Sequence, residues 1–136
     1  MKKQMGDLTR AIIMATEAHS FQLDKTGQPY ILHPLRVMLA QDDDVSRIVA
    51  VLHDVVEDTF AIYEDVILAV FGASIHEAVF ALTRQDGETY EAFILRAKAN
   101  PIARRVKIAD IKDNLRPGAE HLRPRYEKAL SVLEAN

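Results

Sequence analysis

The sequence predicts an all-α fold, a compact bundle of about seven or eight short helices. Apolar residues recur with helical period over most of its length, and Gly, Pro and Asp/Asn breakers punctuate that period at short intervals. No stretch alternates apolar and polar residues between hairpin turns, so strands are not expected. At 136 residues the chain suits one domain, 1–136, able to bury roughly two-thirds of the surface of its unfolded form.

Asp7 can cap a first helix whose apolar stripe carries Leu8, Ile12, Ala15, Ala18 and His19. The stripe stops at Asp24-Lys25-Thr26-Gly27-Gln28-Pro29, a loop rich in breakers. Pro34 then sits where a second helix begins, continued by Leu35 to Ala40. After the turn Asp42-Asp43-Asp44, with Asp44 as cap, a third helix is expected from Val45 to Val56. It is apolar nearly all round, which places it at the centre of the bundle. Ile62 to Phe71 follows, closed by Gly72, and Ser74 can cap Ile75 to Leu82. Gln85-Asp86-Gly87 is a turn before a helix from Thr89 to Ala99. Asn100-Pro101 starts another that runs to about Leu115, where Pro117-Gly118 ends it. A last helix runs from His121 or Pro124 to Leu133.

Composition narrows the chemistry. Lys+Arg 17 against Asp+Glu 20 gives a formal charge of -3, which offers no general attraction to nucleic-acid phosphates, although a local basic patch for a small phosphorylated ligand is compatible with it. The absence of cysteine excludes disulfides, thiolate metal sites and cysteine nucleophiles. Any metal must be held by His and carboxylates, which suits Mn, Fe, Zn or Mg. No apolar run is long enough to span a bilayer and the polar start, Met1 to Asp7, has no signal-peptide core, so a cytoplasmic protein without a membrane partner is expected. The oligomeric state is left open, a dimer included.

Two ionisable residues interrupt the apolar third helix: His53 and Asp54. Buried charges need partners, and a divalent cation would offset the desolvation of Asp54; a buried His–Asp hydrogen bond would serve too. Glu57 and Asp58 follow at i+4 from His53 and Asp54, either as two further carboxylates facing the same region, suited to general acid or base work, or as a solvated acidic helix end. Asp110 stands in Val106-Lys107-Ile108-Ala109-Asp110, with Lys107 and Asn114 on its helical face. That stripe could hold a metal and a phosphate, or be a surface ion pair. His33 is held just before Pro34 at a helix entry; His19 reads as a core or supporting residue, and His76 and His121 as surface.

Together these segments resemble the hydrolase half of the RelA/SpoT family and the small alarmone hydrolases. The matching stretches are Ala18-His19 leading to Gly27-Gln28-Pro29-Tyr30-Ile31-Leu32-His33-Pro34, then Leu52-His53-Asp54-Val55-Val56-Glu57-Asp58-Thr59, then Val106-Lys107-Ile108-Ala109-Asp110 with Asn114-Leu115. They cover Leu8 to Leu115, and four such pieces in order are far more specific than any one. The resemblance implies an HD-domain bundle with His33, His53, Asp54 and Asp110 as ligands of a metal, usually Mn2+. It implies that Glu57 and Asp58 position or activate the attacking water, and that Asn114 contacts the nucleotide sugar. The implied reaction removes the 3′-pyrophosphate of (p)ppGpp, giving GDP or GTP and pyrophosphate. Lys25, Arg84, Arg104, Arg105 and Lys107 are candidates for holding its phosphates.

One position departs from the family pattern. Long members carry Arg or Lys three residues before the loop glycine, packed against the guanine base, and this chain has Asp24 there, with Lys25 beside it. The same hydrolytic site acting on another nucleotide or dinucleotide phosphate is therefore a second reading, and a metal-bound module that binds a nucleotide or a protein without catalysis a third. A plain helical interaction domain without metal is a fourth.

Overall fold

A computed structural model describes residues 5–58, 62–117 and 120–136; the side chains of Glu57, Asp58 and Ile62 lie outside the described residues. Among the described residues the fold is all-α, as expected. In chain order the helices are α1 (Asp7–Ala18), α2 (Leu32–Leu39), α3 (Asp44–Leu52), the single turn α4 (Val55–Asp58), α5 (Ile62–Phe71), α6 (Ala73–Ala81), α7 (Tyr90–Ala99), α8 (Pro101–Asn114) and α9 (Arg123–Glu134), the last preceded by a 3₁₀ turn, Glu120–Leu122. Among the described residues the one extended pairing is an isolated bridge between Leu23 and Pro29, which closes the α1–α2 loop. No described helix is long and apolar enough to cross a membrane.

Local chemistry explains the helix starts. Asp43, one residue earlier than expected, caps α3 by accepting from the Ser46 amide at 2.8 Å. Thr89 caps α7 through the Ala92 amide, and Asn100 caps α8 through the amides of Ile102 and Ala103, with Pro101 following as the first helical residue. Asp7 is the first residue of α1 rather than its cap; there its carboxylate still faces the positive end of the helix dipole. Gly72, at φ 90°, makes the corner between α5 and α6, a conformation a side chain would strain.

The core is built around α3. Ile48, Val49, Ala50, Val51 and Leu52 are all buried, so the helix is surrounded, and α1, α2, α6 and α8 pack on it. Ala11 and Ala15 of α1, both fully buried, let that helix approach closely. A second apolar cluster of Ile94, Ile111, Ala129 and Leu133 ties α7, α8 and α9 together.

The expected helix from Val45 to Val56 is broken at His53 and Asp54. The His53 ring Nδ1 and the His53 amide both donate to the Ala50 carbonyl, at 2.5 and 3.4 Å. That occupies the acceptor which a continuing α-helix would offer to the Asp54 amide, and the chain turns before α4 restarts. The i+4 alignment of Glu57 with His53 on one continuous helix therefore does not hold.

Arg96 locks α6 to α7. Its guanidinium donates to the Phe80 and Thr83 carbonyls at 2.8 Å and makes a two-point pair with Glu88, also at 2.8 Å. Arg96 holds the Glu88 carboxyl down at about 2. A depressed carboxyl contributes its stability above its unfolded value near 4.5 and loses it as pH falls from there toward 2. Glu88→Gln is expected to lower stability at neutral pH by about 1 kcal/mol, the upper range for a pair that water still reaches. Chemical denaturation should show the difference between variant and wild type closing as pH drops through that window; a pH-independent difference would contradict the assignment.

Candidate active site

Three stretches meet at one side of α3. The start of α2 supplies His33, the break after α3 supplies His53 and Asp54, and α8 supplies Lys107, Asp110, Asp113 and Asn114. Pro34 is the third residue of α2, not the first; a proline there still forfeits nothing, because the first turn has no intrahelical acceptor for that amide.

Both imidazoles are anchored by one nitrogen and aimed by the other. His33 Nδ1 is 2.6 Å from Asp113 Oδ2, and its Nε2 lies 2.8 Å from Asp110 Oδ1 and 3.6 Å from Asp54 Oδ2. His53 Nδ1 is fixed on the Ala50 carbonyl, and its Nε2 lies 3.1 Å from Asp54 Oδ2 and 3.3 Å from Asp110 Oδ1. One donor atom each of His33, His53 and Asp54 lies within 4.8 Å of the others. Tyr30 Oη donates to Asp54 Oδ2 at 2.6 Å, and Lys107 Nζ to Asp110 Oδ2 at 2.8 Å. Asn114 Nδ2 is 3.4 Å from Asp110 Oδ1.

The electrostatics follow from burial and convergence. Burial disfavours charge on His53 and His33, but the carboxylates of Asp54 and Asp110 outweigh it and raise both imidazoles. Burial likewise works against ionised Asp54 and Asp110; the imidazoles bring Asp54 to about 2, and Lys107 and His53 hold Asp110 well below the usual carboxylate range. With each Nδ1 engaged, two Nε2 lone pairs face two carboxylates, an arrangement that repels unless a positive charge lies between them. Protons can supply that charge, and so can a divalent cation. Two imidazole nitrogens and the Asp54 carboxylate, with the rear nitrogens fixed by a backbone carbonyl and a carboxylate, fit such an ion, and Asp110 stands against both imidazoles beside them.

His33, Asp54 and Asp110 open onto a cavity of about 270 Å³. Lys107 and Asn114 line it beside them, and Tyr30, Arg84, Tyr90, Phe93, Arg125 and Tyr126 complete the wall. A wider groove of about 790 Å³ adjoins it through Tyr30, His33, Asn114 and Tyr126, and carries Asp24, Lys25 and Arg36.

Most residues singled out in the sequence thus come together. His33, His53, Asp54, Asp110, Lys107, Asn114 and Arg84 share the cavity or its floor, and Lys25 lies in the adjoining groove. Arg104 does not: it faces α9, where Nε and Nη2 donate to the Leu133 and Ala135 carbonyls at 2.6 and 2.7 Å, so its donors serve the end of that helix. Arg105 likewise turns away, to Ser46 Oγ at 2.9 Å. Glu57 and Asp58 stand on α4, directly after the His53-Asp54 turn, with side chains outside the described residues. His19 is buried against the Tyr30 ring, with centroids 5.0 Å apart, in the supporting position expected of it. His76 pairs with Glu64 at 3.3 Å, and His121 is exposed.

Asp24 is spent on its own loop. Its Oδ1 accepts from the Thr26 amide and hydroxyl and from the Gln28 amide at 2.7 to 3.0 Å. The residues not foreseen are Asp113, Tyr30, Tyr90, Arg125 and Tyr126. Asp113 and Tyr30 had a readable signal, each three residues from a singled-out residue, Asp110 and His33. Arg125 and Tyr126 had none, since α9 carries no pattern beyond an ordinary amphipathic helix.

Comparison with known proteins finds the same fold. The structure superposes on that of a metazoan ortholog of SpoT that hydrolyses ppGpp, with a TM-score of 0.78 over 99% of this chain and 89% of the other, at 23% identity. In sequence the chain is 34% identical, over 81% of its length, to the guanosine-3′,5′-bis(diphosphate) 3′-pyrophosphohydrolase of Aquifex aeolicus, and 32% identical, over 83%, to the bifunctional (p)ppGpp synthase/hydrolase SpoT of Escherichia coli. The chain resembles the RelA/SpoT hydrolases. It has the SpoT-type HD fold throughout, yet it spans only 17% and 18% of the length of those two relatives. No family model matches it.

Proposed function

We propose that this chain is a metal-dependent hydrolase that removes the 3′-pyrophosphate of (p)ppGpp, releasing GDP or GTP and pyrophosphate. The observation that carries the reading is the convergence of two anchored imidazoles and two carboxylates on the floor of a cavity whose walls are cationic and aromatic. His33, His53, Asp54 and Asp110 would hold the divalent ion, with Mn2+ the metal favoured here. When bound, that ion supplies Lewis acidity toward a phosphoryl oxygen and a more acidic water.

The chain's own residues supply the rest. Glu57 or Asp58, one turn after Asp54, accepts the proton of the attacking water. The water oxygen bonds to the phosphorus next to the ribose, the bond from that phosphorus to O3′ breaks, and O3′ regains a proton. Lys107 holds the phosphoryl oxygens, its charge already fixed by Asp110 at 2.8 Å. Asn114 and Tyr126 join the cavity to the wider groove, which suits the sugar, and Lys25 and Arg36 line the part beyond.

One observation favours a second substrate class on the same site. The Asp24 carboxylate is tied into its loop, so no cation from that position reaches a purine face. Another nucleotide or dinucleotide phosphate would then be preferred. Purified protein with Mn2+ and ppGpp is expected to release pyrophosphate and GDP in equal amounts. Absence of that release, with turnover of a different nucleotide in the same screen, would replace the first substrate by the second class.

A further inference from the structure

Tyr90 is the first residue of α7, fixed by the Thr89 cap, and its ring forms part of the cavity wall. Arg125, in the first turn of α9, lays its guanidinium on that ring at 3.7 Å from the centroid. Arg84 approaches the same ring at 5.9 Å. The Tyr90 hydroxyl is buried and has no hydrogen-bond partner among the described residues, an orphan polar atom in the wall of a polar cavity.

Stacking fixes the plane of a guanidinium and uses none of its N–H donors. Among the other cations near the site, Lys107 pairs with Asp110, Arg36 with Asp113, and Arg96 with Glu88 and two carbonyls. No carboxylate among the described residues pairs with Arg125. It therefore offers a planar fork of donors to the cavity, the geometry that two phosphate oxygens accept. The reacting end of the cavity, with Lys107 beside it, is supplied by α2, the α3–α4 turn and α8, whereas Arg125 comes from another helix. A diphosphate carries a second set of oxygens beyond those held at the reacting end.

We propose that Arg125, held flat against Tyr90, binds the distal phosphate of the diphosphate that is released, and makes the site selective for a pyrophosphoryl over a phosphoryl group. The inference rests on the functional reading above. Binding of inorganic pyrophosphate and of orthophosphate to the metal-loaded protein, followed by calorimetry, tests it without turnover. Arg125→Ala is expected to weaken pyrophosphate at least tenfold and to leave orthophosphate within twofold. Arg125→Lys should recover only part of the loss, since an ammonium cannot fork, and Tyr90→Leu should weaken pyrophosphate while Tyr90→Phe keeps the stacking platform. Unchanged pyrophosphate affinity in Arg125→Ala, or equal loss for both anions, overturns the proposal, as does a wild type that does not prefer pyrophosphate. If Arg125→Ala melts at a markedly lower temperature, Arg125→Lys alone decides by the same comparison. Failure of the wild type to release pyrophosphate from ppGpp would sink the substrate reading and leave this titration intact, so the two can fail separately.

Discussion

Asp110→Ala is expected to abolish metal-dependent hydrolysis and to leave the protein unable to retain its metal through gel filtration. Asp110 is the most connected side chain of the site: Oδ1 meets both imidazole Nε2 atoms and Oδ2 takes the Lys107 ammonium. Losing one proposed anionic ligand, together with the charge that aims both imidazoles, should reduce turnover by at least about a thousandfold, or ~4 kcal/mol of barrier. The fold should suffer as well. Lys107 is largely buried and its ammonium is held charged by Asp110 against that burial. Removing one partner of a buried pair costs about 3–5 kcal/mol, and the cavity beside it, which admits water, favours the lower end. The two effects separate in a second variant. Lys107→Met in the Asp110→Ala background removes the stranded charge, so it should restore much of the thermal stability without restoring metal or activity. Metal content equal to wild type in Asp110→Ala would end the metal assignment, whatever happens to the melting temperature.

How much of this was legible in the sequence depends on whether a residue breaks a pattern. His53 and Asp54 stand in a run that is otherwise core, so their setting stood out, while Asp110 between Ala109 and Ile111 was open to a surface ion pair until the matching segments were taken together. Pro34 and the capping residues Thr89 and Asn100 announced helix starts through backbone rules that act locally. What stayed hidden depended on contacts across the fold. The break after Leu52 follows from the His53 ring taking the Ala50 carbonyl, which period alone cannot reveal, since Val45 to Val56 reads as one apolar helix. Arg104 and Arg125 look alike in sequence, yet one is consumed by the end of α9 and the other lines the cavity. Which arginine faces an anion is decided by helix docking, here α9 against α7 and α8, and no local rule carries that information.

Asp113 illustrates the same point with a large effect attached. Its spacing from Asp110 hints at a shared face but not at its partners, and its side chain is only 12% exposed. Its Oδ2 takes His33 Nδ1 at 2.6 Å, and Arg36 closes on both of its oxygens at 2.7 and 3.0 Å. The Arg36 guanidinium orients the carboxylate, the carboxylate orients the ring, and the ring presents Nε2 to the site. Loss of such a support behind a metal-binding imidazole lowers metal affinity or activity by about 10–100-fold. Asp113→Ala is therefore expected to weaken Mn2+ binding in that range, with a fall in stability smaller than in Asp110→Ala, because the stranded Arg36 is 38% exposed and can rehydrate. Asp113→Asn should lie between the two, since an amide oxygen can still accept from Nδ1 without its charge. A metal titration of the three proteins, run beside their thermal melts, separates aim from stability. If Asp113→Ala binds Mn2+ as tightly as wild type, then His33 does not reach the ion through Nε2, and the site would have to be rebuilt on His53, Asp54 and Asp110 alone.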